Sequence, residues 1–155
     1  MEDHLKGVYI KAANYCAYQE RNHSEVRKKL QALYVEDGDC EIIISQLITD
    51  NYLNEQRYAE TFAGGKFRIK KWGKRKILFE LKKKHLSEYT LRTALKDIKE
   101  DDYKATIIKL TKAKLVTLSK IETNKLKIKM KLVTYLLQKG YEHELIWQTV
   151  SMLLD

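Results

Sequence analysis

A chain of 155 residues with 44% apolar and 33% charged side chains is long enough for one compact domain or a short array of modules, and too apolar to be a disordered tail. It contains no proline and only six glycines, which permits long helices, and no run approaches the ~18 apolar residues of a membrane span. The formal charge of +9 is uneven: residues 1–62 carry 7 Lys/Arg against 11 Asp/Glu, and residues 63–155 carry 23 against 10. Such polarity points to a polyanion, nucleic acid first, with an anionic membrane or an acidic protein groove as the other partners.

Helix signals recur along the chain. The first predicted helix runs from about Val8 to Gln19, and Ser24 is a suitable N-cap for a second over Glu25 to Leu33. The Asp37-Gly38-Asp39 turn precedes a third, with Ile43, Ile44, Leu47 and Ile48 on one broad face. Asn54 caps a helix from Glu55 to about Lys71, with Tyr58, Phe62 and Ile69 along one stripe. Gly64 and Gly65 lie inside it, each costing about 1 kcal/mol relative to alanine. They are open to two readings, close approach of a neighbouring helix or a bend. Trp72-Gly73 ends this helix.

The next helix holds Ile77 and Leu81 and stops near His85. Ser87 then caps another that carries Leu91, Leu95 and Ile98. The last third has a helix from about Asp102 to Leu118, one from Asn124 to Lys139 stopped by Gly140, and a final one from about Glu142 to Leu153. Lys125 to Leu132 alternates lysine with apolar residues at a strand-like period, but Leu126, Met130, Val133 and Leu137 also form a helical stripe. Lysine and methionine favour helix, so helix is the reading taken.

Residues 75–98 can be laid over 130–153. Ile77 then falls on Leu132, Leu81 on Leu136, Leu86 on Tyr141, Leu91 on Ile146, Leu95 on Val150 and Ile98 on Leu153. His85 meets Gly140 at the helix-stop position, where histidine tolerates a left-handed backbone. Residues 26–47 follow more loosely, with Val26, Leu30 and Val35 matching Ile77, Leu81 and Leu86. The expected architecture is all-α, as three tandem three-helix modules near 8–52, 54–99 and 101–154.

Cys16 and Cys40 have no C-x-x-C spacing, which favours two reduced, partly buried thiols over a disulfide or zinc site. The N-terminus carries Glu2 and Asp3 and no apolar segment of a signal peptide, so a cytoplasmic protein is expected. No glycine-rich phosphate loop is present, and His143-Glu144 lacks the second histidine of a zinc protease helix. Glu80-Leu81-Lys82 has the form of a nuclease Glu-x-Lys triplet but sits on a basic helix without a further carboxylate. No catalytic residue, metal or cofactor is assigned, and an enzyme is not expected.

The strongest local feature is the basic run of Lys66, Arg68, Lys70, Lys71, Lys74, Arg75 and Lys76, continued by Lys82 and Lys83. Ten Lys/Arg and one acid, Glu80, lie between Lys66 and Lys84. These cations suit phosphate neutralisation with counterion release, and Phe67 and Trp72 interleave them in positions to stack on bases. The competing reading is a solvated helix face with Trp72 packed inward. A second set, Lys120, Lys125, Lys127, Lys129 and Lys131, points around several sides of a helix and serves long-range attraction or solubility.

Tyr15-Cys16-Ala17-Tyr18-Gln19-Glu20-Arg21-Asn22-His23-Ser24 followed by Val26 and Leu30, then Tyr52-Leu53-Asn54-Glu55-Gln56-Arg57-Tyr58-Ala59, then Trp72-Gly73-Lys74-Arg75-Lys76-Ile77 with Glu80-Leu81, resemble the RecX family in order and spacing. Lys74 stands where the family has proline, Asn54-Glu55 replaces Asp-Asp, and His85 replaces glycine. The resemblance implies tandem three-helix repeats in an elongated, curved array. It also implies a protein that lies in the groove of the RecA–DNA filament, limits its extension or promotes its disassembly, and restrains strand exchange and coprotease activity; a monomer is expected. Arg57, Tyr58, Gly73, Ile77, Glu80 and Leu81 belong to the signatures and are expected to be structural, with Arg57 and Glu80 candidates for an ion pair or cap. Two other functions remain open: an autonomous, non-sequence-specific protein binding single- or double-stranded DNA, and a repeat scaffold for an acidic protein.

Overall fold

Leucine, isoleucine and lysine at helical spacing, unbroken by proline, produce nine helices and no strand in the computed structural model, which describes residues 1–155. They are α1 (Asp3–Tyr18), α2 (His23–Ala32), α3 (Asp37–Thr49), α4 (Glu55–Lys70), α5 (Lys74–Lys82), α6 (Glu88–Thr93), α7 (Glu100–Ser119), α8 (Lys125–Lys139) and α9 (His143–Leu154). The order is that of a three-helix repeat. No helix is long and apolar enough to cross a membrane.

The helices build two compact units, Met1–Phe62 with Lys82–Ala94, and Ala63–Leu81 with Leu95–Asp155. In the first, α1, α2 and α3 pack on one another around Leu5, Cys16, Val26, Leu30, Ile43 and Leu47. Cys16 and Cys40 are free and buried there, and burial pushes both thiols up, the inert state of a structural cysteine. Helix α6 is fastened by its cap. Ser87 Oγ accepts from the Thr90 amide at 3.2 Å, and Thr90 Oγ1 donates to Glu55 Oε2 at 2.9 Å. In the second unit α7, α8 and α9 bury Tyr103, Ile107, Leu132, Leu136, Tyr141 and Ile146.

The repeat is written in the backbone. Val26, Ile77 and Leu132 are each fully buried, as are Leu30, Leu81 and Leu136 one turn later. Another turn on, Tyr34, His85 and Gly140 have φ of 61°, 58° and 97°. Each of the three positions stops a second helix. The left-handed backbone costs a non-glycine residue roughly 1–2 kcal/mol. At Tyr34 the turn returns two bonds, from its own amide to Gln31 O at 2.9 Å and from Val35 to Leu30 O at 3.1 Å.

Several boundaries differ from the sequence reading. Helix α1 starts at Asp3 rather than Val8, because Leu5 continues the buried face of Ala12, Ala13 and Cys16. Asn22, not Ser24, caps α2: its Oδ1 accepts from Glu25 N at 2.8 Å, and Glu25 Oε1 accepts from Asn22 N at 3.1 Å. Asp37, Gly38 and Asp39 form the first turn of α3, where acids face the positive end of the helix dipole. Helix α6 ends at Thr93, leaving Leu95 and Ile98 in turns. On α8 the buried stripe is Ile128, Leu132, Val133 and Leu136, while Leu126 and Met130 are exposed.

Candidate nucleic-acid interface

The basic run forms the end of α4, a short connection and the start of α5. Helix α4 stops when Lys71 takes a φ of 61°, and the amides of Lys71 and Trp72 donate to Phe67 O and Lys66 O at 3.1 and 3.2 Å. The chain then turns through Gly73 into α5. The glycine is required by packing. A Cβ there would collide with the Gly140 carbonyl and the Tyr141 nitrogen, and one on Gly140 would strike Lys76. Gly73 N donates to Lys139 O at 2.7 Å and Arg75 N donates to Gly140 O at 3.0 Å, so the start of α5 meets the end of α8 backbone to backbone.

Further bonds fix the connection. Lys139 Nζ donates to Lys70 O at 3.1 Å, and the Tyr141 hydroxyl donates to Lys71 O at 2.8 Å. Tyr103 accepts from the Lys74 amide at 2.8 Å, an N–H left open at the start of α5, and donates to Glu142 Oε1 at 2.5 Å. Burial pushes the Tyr103 and Tyr141 phenols up, with the neighbouring Glu142 carboxylate acting in the same direction. Both therefore serve as neutral hydrogen-bonding groups.

This arrangement sorts the cations. Arg68, Lys70, Lys71 and Arg75 are exposed, whereas Lys66, Lys74 and Lys76 are half-buried. Lys74 Nζ lies 3.5 Å from Glu100 and 4.5 Å from the centre of the Tyr103 ring. Lys66 and Lys76 place their ammoniums 5.0 and 4.7 Å from the centre of the Trp72 ring. Trp72 is thus half-exposed rather than packed inward, and its indole is held by cation–π contacts. Phe67 does not interleave the charges at the surface: it is buried, 5.8 Å from the Tyr103 ring. Ile69, read as part of the buried stripe, is 78% exposed. Lys82 and Lys83 are exposed but belong to the other compact unit.

Of the two readings made of the glycines of α4, close approach of a neighbouring helix is not what the structure has. The space beside Gly64 is taken by the Arg68 guanidinium of the next turn, and Gly65 faces nothing within 4 Å.

Among the signature residues, Tyr58, Ile77 and Leu81 are buried. Arg57 bonds Glu20 Oε1 at 2.5 Å, Asn51 Oδ1 at 3.2 Å and Asn51 O at 3.0 Å, and so links the start of α4 to the ends of α1 and α3. Glu80 lies half-buried beside Arg75, Phe79 and His143 at the edge of a cleft in the second unit. The residues that hold the basic connection, Tyr103, Lys139, Gly140, Tyr141 and Glu142, were not assigned to it from sequence. Only the glycine stop at 140 and the glycine at 73 gave a signal, and neither named the other as partner.

Comparison with known proteins gives a consistent result. The family model described as RecX, second three-helix domain, matches residues 54–95, and that of the RecX third three-helix domain matches residues 100–150. Regulatory protein RecX of Clostridium perfringens is 34% identical over 124 residues, 80% of this chain and 58% of that protein. Regulatory protein RecX of Clostridium acetobutylicum is 29% identical over 155 residues, 99% of this chain and 70% of that protein. The chain thus spans little more than half the length of the Clostridium perfringens relative. The crystal structure of RecX from Lactobacillus salivarius superposes with a TM-score of 0.81 at 26% identity, covering 99% of this chain and 98% of that one. With both domain models matched in order over more than half of its length, the chain belongs to the RecX family.

Proposed function

We propose that this chain is a negative regulator of a RecA-type recombinase. In this reading it binds the recombinase–DNA filament as a monomer, limits filament extension or promotes disassembly, and so restrains strand exchange, ATPase and coprotease activity. It has no catalytic residue or cofactor, works in the cytoplasm, and is divided into modules at 8–52, 54–99 and 101–154. Family membership supports the reading, and the relatives are named as regulatory proteins.

The observation that carries it is the fixed basic connection. Arg68, Lys70, Lys71 and Arg75 stand in solvent on a backbone anchored at Lys139, Gly140 and Tyr141. Ordered cations of this kind neutralise phosphates without reading sequence. The same cations favour a second reading, direct and autonomous DNA binding, because phosphate neutralisation needs no protein partner.

The test is the recombinase's single-stranded-DNA-dependent ATPase, followed while substoichiometric protein is added with DNA in excess. A fall in rate supports the filament regulator. An unchanged rate, alongside salt-dependent binding to bare DNA, transfers the function to the autonomous reading.

A further inference from the structure

Beside the basic connection, and wholly within the second unit, the last turns of α4 and one face of α7 enclose a groove of about 650 Å³. Its volume is that of a ligand cleft, about 300–1,000 Å³, not of a gap between side chains. Phe67 and Leu110 contribute to its apolar lining, Phe67 being buried and Leu110 half-buried. Ala105 and Ala113, both exposed, lie two helical turns apart along α7 with only a methyl group each, which leaves room for an incoming backbone. Arg68, Lys71 and Lys109 are exposed cations in the lining, against a single carboxylate, Asp102. Asp102 lies in the first turn of α7, where it complements the helix dipole.

We infer that this groove docks an acidic protein segment of the recombinase, one that lays an apolar side chain between Ala105 and Ala113 and sets its carboxylates against Arg68, Lys71 and Lys109. The inference rests on the filament reading above and gives the protein contact of that reading a place on the chain. The chemistry of the groove selects a peptide over a nucleic acid. Bases bind by stacking on open aromatic faces, and the aromatic ring in this groove, Phe67, is only 8% exposed. A phosphate has no use for an apolar floor, whereas an amphipathic segment uses floor and rim together. Oppositely charged rims accelerate encounter and fix register, while the buried apolar anchor sets the lifetime of the complex.

The experiment uses the full chain and fluorescently labelled peptides tiling the recombinase sequence, read by anisotropy. Binding should concentrate in peptides that combine negative charge with a bulky apolar residue. Ala105→Trp, which fills the groove, should weaken it about tenfold or more, and Ala105→Ser should not. Lys109→Glu, on the exposed rim, should also weaken it about tenfold and provides the same test should the tryptophan disturb helical content.

The proposal is overturned if no peptide binds, if neutral peptides bind equally well, or if Ala105→Trp and Lys109→Glu bind as wild type. Parallel loss of single-stranded DNA affinity in both variants also overturns it, since the groove would then be part of the nucleic-acid surface. The ATPase assay separates this from the functional reading. Wild-type protein without effect on the rate removes the reading itself, whereas variants that inhibit like wild type remove only the groove.

Discussion

Gly73 and Gly140, separated in sequence by the whole of α5, α6, α7 and α8, meet backbone against backbone, with the amide of one side and the carbonyl of the other closing hydrogen bonds of 2.7 and 3.0 Å through Lys139 and Arg75. Neither position leaves space for a Cβ. Gly73→Ala is expected to destabilise the protein by about 1–3 kcal/mol through overpacking. That corresponds to a fall in Tm of roughly 2–4 °C per kcal/mol for a chain of this size. Gly140→Ala should be worse, because its φ of 97° adds backbone strain to the collision with Lys76. Thermal unfolding followed by circular dichroism measures both, and a Gly73→Ala protein as stable as wild type would contradict the contact.

Tyr103→Phe removes one hydroxyl and two hydrogen bonds, leaving the Lys74 amide without the tyrosine oxygen. The expected loss is about 1–3 kcal/mol. Urea unfolding should show it as a lower midpoint at unchanged slope.

The same residue predicts an alkaline dependence. The Tyr103 and Tyr141 phenols are raised in the folded state relative to the value of about 10 in an unfolded chain. Their contribution is therefore complete below pH about 10 and is lost as the pH climbs above that value, since the unfolded chain then releases protons that the native chain keeps. Titration of phenolate absorbance should show a late step coincident with loss of helical signal. A Tyr103→Phe, Tyr141→Phe variant should lack that step.

Lys70→Glu, Lys71→Glu and Arg75→Glu together test the interface with little change to its scaffold: Lys71 Nζ gives up its exposed bond to Arg68 O at 2.6 Å, while the side chains are exposed and the backbone carbonyls and amides keep their bonds. The triple variant is expected to fold normally and to lose filament inhibition. Its dependence of log affinity on log salt should become shallower by about 1 for each phosphate it no longer neutralises. Lys76 is omitted because it packs on Trp72 and Gly140, so reversing it would mix stability with binding. Inhibition equal to wild type would remove this surface from the mechanism.

Arg57→Lys should be nearly as damaging as Arg57→Ala, at about 1–2 kcal/mol for a half-exposed group, because only a guanidinium reaches Glu20, Asn51 Oδ1 and Asn51 O together. DNA binding at equal folded fraction should be unchanged in both. A lysine variant with wild-type stability would mean that the fork geometry contributes nothing.

Much of this fold is readable from local pattern. The fully buried pairs Ile77/Leu132 and Leu81/Leu136, and the left-handed stops at His85 and Gly140, fall where the internal overlay put them. They are legible because helix period and helix termination act within a few residues. Cap choice is less so: Asn22 and Ser24 are both good caps, and a carboxylate three residues on, Glu25, favours Asn22 by closing a reciprocal pair. The site is harder still. Phe67 and Ile69 are both apolar residues at the end of α4, and which one is buried depends on where Tyr103 sits, thirty-odd residues away. Charge located the basic segment, but the sorting of Arg68 and Arg75 from Lys74 and Lys76 needed Glu100, Trp72 and Gln138 in place.

The bonds that shape the basic connection reach far forward in the chain: Lys139 to the Lys70 carbonyl spans 69 residues, and Tyr141 to the Lys71 carbonyl spans 70. A polypeptide is made from its N-terminus at about 5–20 residues per second. During synthesis the cations of α4 and α5 therefore emerge several seconds before the residues that hold their backbone. A chain stopped just short of Lys139 would therefore keep every charge of the connection while lacking the Lys139 and Tyr141 bonds that fix its backbone.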